Sequence, residues 1–143
     1  MTTLAAIDPG RSKCGLVLVD PGQALVLRAG VLPPQRCREL VQHWFNEQAC
    51  RSVVLGAGTG SAPWRDWLKQ LDLQLVLMPE AGTTLAARQR YWQLEPTRGW
   101  RRLLPQGLRL PPRDVDDVVA QILLERHLGR ALQRPAHLPL LQP

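Results

Sequence analysis

The chain predicts an α/β fold in the order βββαβαβα, and three observations carry that expectation. Near the start, apolar runs of strand length fold back on themselves through Asp-Pro-Gly turns; later stretches space their apolar residues three and four apart; and short, wholly apolar runs alternate with those stretches. At 143 residues the chain fits one domain of ordinary size around a single core. The expected boundaries are 1–133 for that domain and 134–143 for a loose tail, since three of the last nine residues are proline.

The elements follow in order. Strands are expected near 3–8, 13–20 and 23–31, joined first by Asp8-Pro9-Gly10 and then by the tight Asp20-Pro21-Gly22 turn. Two such hairpins make a three-stranded antiparallel unit. Residues 35–49 place Cys37, Leu40, Val41, Trp44 and Phe45 on one stripe of a helix. SVVLGAG (52–58) is a short buried strand, and Ser61 can cap a helix carrying Trp64, Trp67, Leu68 and Leu71 on one face. LQLVLM (73–78) reads as the next buried strand, and residues 83–92 as a helix. Residues 93–112, rich in Pro, Gly, Arg and Trp, read as irregular, and 115–132 as the last helix.

Lys and Arg outnumber Asp and Glu by 18 to 12, and 16 of the 18 are Arg, the planar fork that suits phosphate. A polyanionic partner is expected from this, against the plainer reading that the charge serves solubility. Cys14, Cys37 and Cys50 show no CxxC spacing and are odd in number, so packed thiols are expected rather than a disulfide framework or a zinc site. No stretch approaches the roughly 18 apolar residues of a membrane span, and the first residues lack the pattern of a signal peptide. The expectation is a cytoplasmic protein without a membrane partner.

The acids carry the chemistry. Asp8 closes an apolar strand, where a carboxylate is poorly placed for packing and well placed for gripping a metal. Glu80 also follows a buried strand, at the carboxyl edge where open α/β sheets bind ligands. Asp114, Asp116 and Asp117 crowd the first turn of the last helix. The helix dipole favours acids there, but three within four residues repel one another, and a divalent cation would relieve that repulsion. Duller roles compete: Asp8 as a turn cap like Asp20, Glu80 as a first-turn acid before Thr83 and Thr84. If the last helix packs beside the first strand, these acids converge into a set of hard oxygen ligands that selects Mg²⁺ or Mn²⁺.

These residues resemble the YqgF (RuvX) family of RNase H-like nucleases, known as Holliday junction resolvases and as nucleases that process precursor 16S ribosomal RNA. The resemblance runs through AIDPGRSKCGLVLVD, VVLGAGTGS, PEAGTTLAARQRYW and PPRDVDDVVAQILLERHL, and RYWQLEPTRGWRRLLPQGLRLPPRDVDD looks like the cyanobacterial branch. It implies an RNase H-like domain whose mixed five-stranded sheet, flanked by helices, has strands one to three antiparallel and strands four and five parallel to strand one. It also implies that Asp8 is the first-strand aspartate, Glu80 the glutamate after the fifth strand, and Asp116 the aspartate opening the final helix. Asp117 is an equally credible occupant of that last place, because Asp114 and Asp117 stand three apart like the paired acids that close the related RuvC pattern. Pro79 replaces the aspartate that usually precedes the glutamate, and LGAGTGS replaces the commoner glycine-x-proline loop.

For holding nucleic acid, Gly56, Gly58, Thr59, Gly60 and Ser61 link a strand to a helix start, where phosphate can approach backbone amides; the alternative is a plain connection. Arg88, Arg90, Tyr91 and Trp92, then Arg98, Trp100, Arg101 and Arg102, interleave guanidinium groups with rings, a combination that grips phosphates and stacks on unpaired bases. Tyr91 and Trp92 are also candidates for the core. His43, His127 and His137 lack metal-pair spacing.

The expected function is therefore metal-dependent cleavage of structured RNA or branched DNA. A homodimer would suit symmetric junction resolution, and a monomer suffices for trimming RNA. The competing reading is a noncatalytic nucleic-acid-binding module whose metal site has decayed. An actin-like phosphotransferase lobe also fits the Asp8 hairpin, but 143 residues supply one lobe where that machinery closes two.

Overall fold

The computed structural model describes residues 3–58, 60–95 and 99–143, with Gln106 described for its backbone alone. Strands β1 (Leu4–Asp8), β2 (Cys14–Asp20) and β3 (Leu25–Leu32) are followed by helix α1 (Pro34–Asn46) and strand β4 (Ser52–Gly56). Helix α2 (Ser61–Leu68), strand β5 (Gln74–Met78), helix α3 (Thr83–Leu94) and helix α4 (Asp116–Leu128) complete the order. The sheet order is β3-β2-β1-β4-β5. β1 pairs antiparallel with β2, and β2 with β3, while β1, β4 and β5 run parallel. This is the mixed, helix-flanked arrangement expected.

Alternation along each strand divides the interior. Ala5, Ile7, Leu16, Leu18, Val53 and Leu55 face α1 and α2, where Cys37, Val41, Trp44, Trp64 and Leu68 meet them. Ala6, Val17, Val19, Val26 and Val54 face α4, against Ala120, Leu123 and Leu124. Because side chains repeat every second residue, Asp8 points to the same face as Ala6, toward α4. Helix α3 packs on α4 through Ala87, Val118, Val119 and Ile122. The three thiols are free and buried.

Local chemistry sets the turns. Asp20 Oδ1 accepts hydrogen bonds from the Gly22 and Gln23 amides at 3.0 and 3.2 Å, fixing the second hairpin. α3 begins after Gly82 and α4 ends at Gly129, with φ of 72° and 70°, left-handed values that glycine accepts readily. The Gly129 cap stops α4 short of the expected residue 132. Between α3 and α4, Gly99–Leu103 and Gln106–Leu108 form short 3-10 turns within the segment expected to be irregular.

Two further expectations are corrected. β5 is an edge strand with Leu77 exposed, because among the described residues β4 is its only strand neighbour. The tail from Arg134 is docked rather than loose. Gln133 N donates to Ala24 O at 2.9 Å, Val26 N to Gln133 O at 2.8 Å, and Leu141 N to Ala29 O at 2.7 Å. These bonds cover the free edge of β3, while Leu138 and Leu140 pack on the α4-side core. Backbone pairing and apolar burial thus hold a segment whose prolines suggested disorder. No helix is long and apolar enough to cross a membrane among the described residues.

Candidate functional site

Three elements bring carboxylates together. Asp8 ends β1, and its register partner on β2 is Gly15. A Cβ on Gly15 would strike the backbone of Asp116, so the missing side chain lets the start of α4 settle against the hairpin beside Asp8. Glu80 arrives from the turn after β5, where its carbonyl accepts hydrogen bonds from Thr83 N at 3.1 Å and Thr83 Oγ1 at 2.7 Å. A Cβ on Gly56 or Gly58 would collide with the Glu80 carboxylate, so these glycines make room for an acid.

The electrostatics follow from this crowding. Burial, then the charges of Glu80 and Asp116, push the Asp8 carboxyl up to about 8, and both neighbours stand within hydrogen-bonding reach of it. Glu80 Oε1 is buried and has no hydrogen-bond partner among the described residues. A buried, unpartnered carboxyl oxygen beside two more carboxyl groups is a donor set suited to a hard divalent cation. Among the described residues, no three His, Cys, Asp or Glu side chains already stand at the spacing of a metal cage.

Asp8, Glu80 and Asp116 line one cleft of about 440 Å³, together with Lys13, Thr84, Arg88, Leu110 and Asp114. Asp114 sits at its exposed rim. Lys13 Nζ stands 2.7 Å from Asp114 Oδ1 and 3.7 Å from Asp116 Oδ2, placing an ammonium across the mouth of the acidic group. Sequence reading passed over Lys13, although it is one of only two lysines and lies in the Asp8 hairpin.

Asp117 stands apart from this group. It is fully buried, with Oδ1 2.8 Å from Arg113 Nη1 and Oδ2 2.9 Å from Arg134 Nη1. Arg113 also reaches Glu95 Oε1 at 3.1 Å, and Arg134 Nε donates to Gln121 Oε1 at 2.7 Å. This is an internal ion-pair network, and the placement of Asp117 as a metal ligand is corrected on that account. A single step along the helix takes Asp116 in the cleft to Asp117 in the interior, because successive residues on a helix face about 100° apart. Neither Arg113 nor Arg134 was singled out from sequence. The Arg113–Asp117 spacing of four is a visible signal, whereas Arg134 pairs only through the docked tail.

The basic residues also separate. Arg90 is corrected to an internal brace, its Nη2 donating to Glu125 Oε2 and Leu132 O, both at 3.1 Å. Arg88 is exposed on the cleft wall, Arg102 is exposed, and Arg101 lies over the Trp100 ring at 5.2 Å. Ser61 opens α2 half-buried, and Tyr91 belongs to the core. Thr59 and Arg98 lie outside the described residues.

No protein-family model matches the chain, and no curated protein matches it. Among solved structures, it is similar to T. thermophilus RuvC in complex with a Holliday junction substrate, at 16% identity and a TM-score of 0.49, over 92% of this chain and 99% of that one. It is also similar to the nuclease domain of the large terminase subunit gp2 of bacterial virus Sf6, at 12% identity and a TM-score of 0.42, over 89% and 69% of the two chains. A third likeness is to the ROK hexokinase from Thermus thermophilus, at 15% identity and a TM-score of 0.42, over 63% of this chain and 37% of that one. At these values neither activity nor substrate carries across to this chain.

Proposed function

We propose that the chain is a divalent-metal-dependent nuclease of RNase H-like type, with Asp8, Glu80 and Asp116 as the acids that hold the cation. The observation that supports this most is the meeting of three carboxyl groups from the end of β1, the turn after β5 and the start of α4. Burial, then the neighbouring charges, raise the Asp8 carboxyl to about 8, and Glu80 Oε1 is buried without a partner among the described residues. Such an arrangement is costly for a structural site and suits Mg²⁺ or Mn²⁺. Bound there, the cation would activate water and steady charge on a phosphodiester.

The chain's own residues then divide the work. Asp8 is held on the end of β1, Glu80 in the turn that follows β5, and α4 carries Asp116 against them. Asp114 at the rim adds a fourth acid, and Thr84 and Arg88 offer donors to a substrate phosphate from the wall of the cleft. Arg101, Arg102 and Ser61 are the further candidates for backbone contact, with Thr59 and Arg98 proposed from sequence alone. The substrate class is structured RNA or branched DNA, the chain acting as a monomer on an RNA end or as a homodimer on a junction, in the cytoplasm. Membership of the YqgF family belongs to the same proposal.

The second reading, a noncatalytic nucleic-acid-binding module, is favoured by Pro79 and by the spacing of the acids, which falls short of a cage. Cleavage assays on branched DNA and on precursor ribosomal RNA with Mg²⁺ or Mn²⁺ decide between them. The wild type should cut at least one substrate, and Asp8→Asn should abolish cutting while folding and binding persist. Wild-type protein that binds both substrates but cuts neither under any divalent ion would establish the noncatalytic module.

A further inference from the structure

Five large apolar side chains are exposed on α3 and on the segment leading to α4: Leu85, Trp100, Leu103, Leu108 and Leu110, each between 64% and 86% exposed; of these, Leu110 lines the acidic cleft. Four of the five fall within eleven consecutive residues, and exposed apolar groups gathered in this way mark an interaction site. Residues 99–112 carry three arginines and no acid, with Arg102 exposed and Arg101 half-buried, so whatever covers this surface meets positive charge. At its Leu85 and Leu110 end the surface adjoins the cleft. Leu110 and Arg88 line both the acidic cleft and a neighbouring hollow formed with Leu85 and Trp92.

We propose that this surface is a stacking platform for unpaired nucleotides, which holds a single-stranded segment of the substrate next to the acidic cleft. It deepens the nuclease reading by naming the strand state of the substrate, and rests on that reading only for what happens in the cleft. The exterior of a duplex presents sugars and phosphates, which satisfy arginine but leave Trp100 and the leucines facing water. Unpaired bases offer apolar faces and an anionic backbone together, matching both components of the surface. Arg101, stacked over Trp100 at 5.2 Å, holds that ring with a cation beside it, the pairing that a base and its phosphate would engage. A second copy of the chain fits worse, because a two-fold contact would set Arg101 and Arg102 against their own images. An anionic membrane would have to lie flush across the cleft, bringing its headgroups against Asp114 and Asp116.

The test uses the full chain carrying Asp8→Asn, without divalent ion, so that binding is read apart from cleavage. Fluorescence anisotropy with a labelled 12-nucleotide single strand and its blunt duplex should give at least tenfold tighter binding of the single strand. Adding Trp100→Ala and Leu103→Ser should weaken single-strand binding about tenfold or more, in line with base–aromatic stacking energies, with duplex binding unchanged. Equal losses on both ligands, or a preference for the duplex, overturn the proposal. So does a dimer in solution that dissociates in the double variant, or co-sedimentation with phosphatidylserine vesicles that the double variant loses. Should the double variant misfold, photocrosslinking of a 4-thiouridine strand to the parent protein replaces it: adducts at Trp100 support the platform, and adducts elsewhere overturn it. Stacking without cleavage by the wild type would sink the nuclease reading alone, and cleavage without stacking would sink the platform alone.

Discussion

Gly15 on β2 yields its side-chain space to the main chain of Asp116, and through that contact the first turn of α4 lies against the end of β1. Gly15→Val should therefore push α4 outward. We expect a stability loss of about 1–3 kcal/mol, the usual range for overpacking, and a loss of cleavage larger than the unfolded fraction explains. Urea unfolding and a cleavage assay on the same samples check this; cleavage at the wild-type rate would show that the contact does not position Asp116.

Neighbouring aspartates on α4 should behave oppositely. Asp117→Ala strands Arg113 and Arg134 without their buried carboxylate and should cost roughly 3–5 kcal/mol. Asp116→Asn removes a negative charge that crowds Asp8 and Glu80, so stability should hold or rise while cleavage disappears. Thermal unfolding and activity of the two variants, measured side by side, separate the roles. A stable, inactive Asp117→Ala protein would reverse them.

The metal-free protein should lose stability as pH rises from about 4 toward 8. An ordinary carboxyl titrates near 4 in the unfolded chain, whereas in the fold Asp8 holds its proton up to about 8. Across that window the native state binds more protons, so raising the pH favours unfolding. Melting temperatures in chelator, taken from pH 4 to pH 9, should fall over the window, and Asp8→Asn should flatten the decline. A slope unchanged by Asp8→Asn would place the titrating group elsewhere.

Lys13 is a built-in competitor for a cation at the acids. Its ammonium lies 3.7 Å from Asp116 and 2.7 Å from Asp114, with both partners partly exposed. Exposed ion pairs contribute about 0.2–1 kcal/mol, so Lys13→Ala should tighten Mn²⁺ binding between about 1.5-fold and fivefold. Calorimetric titration with Mn²⁺ reads the change directly. Weaker binding would mean that Lys13 organises the acids rather than competing for them.

Much of this architecture is legible in the residues, for reasons that differ by element. The β1–β2–β3 hairpins are local, and their turns are written in Asp-Pro-Gly. Asp8 and Glu80 stand out because an acid ending an apolar run has little packing value. Asp116 and Asp117, adjacent in sequence, could not be separated before α4 was rotated onto the sheet, because both flank the stripe of Val115, Val118, Val119 and Ile122. An apolar run does not say whether it lies at the centre or the edge of a sheet, and for this reason β5 looked fully buried. Arg90 and Arg134 resemble surface cations until their partners, 35 and 17 residues away, are brought to them by tertiary packing.

The link between Arg134 and Asp117 has a mechanical consequence. It fastens the turn of α4 bearing Asp116 to a length of chain lying along the far rim of the sheet. Proteolytic trimming behind Leu132, or a bulky fusion that peels that length away, would slacken the acidic centre from a distance. Damage at one border of the molecule is thereby converted into silence at the other.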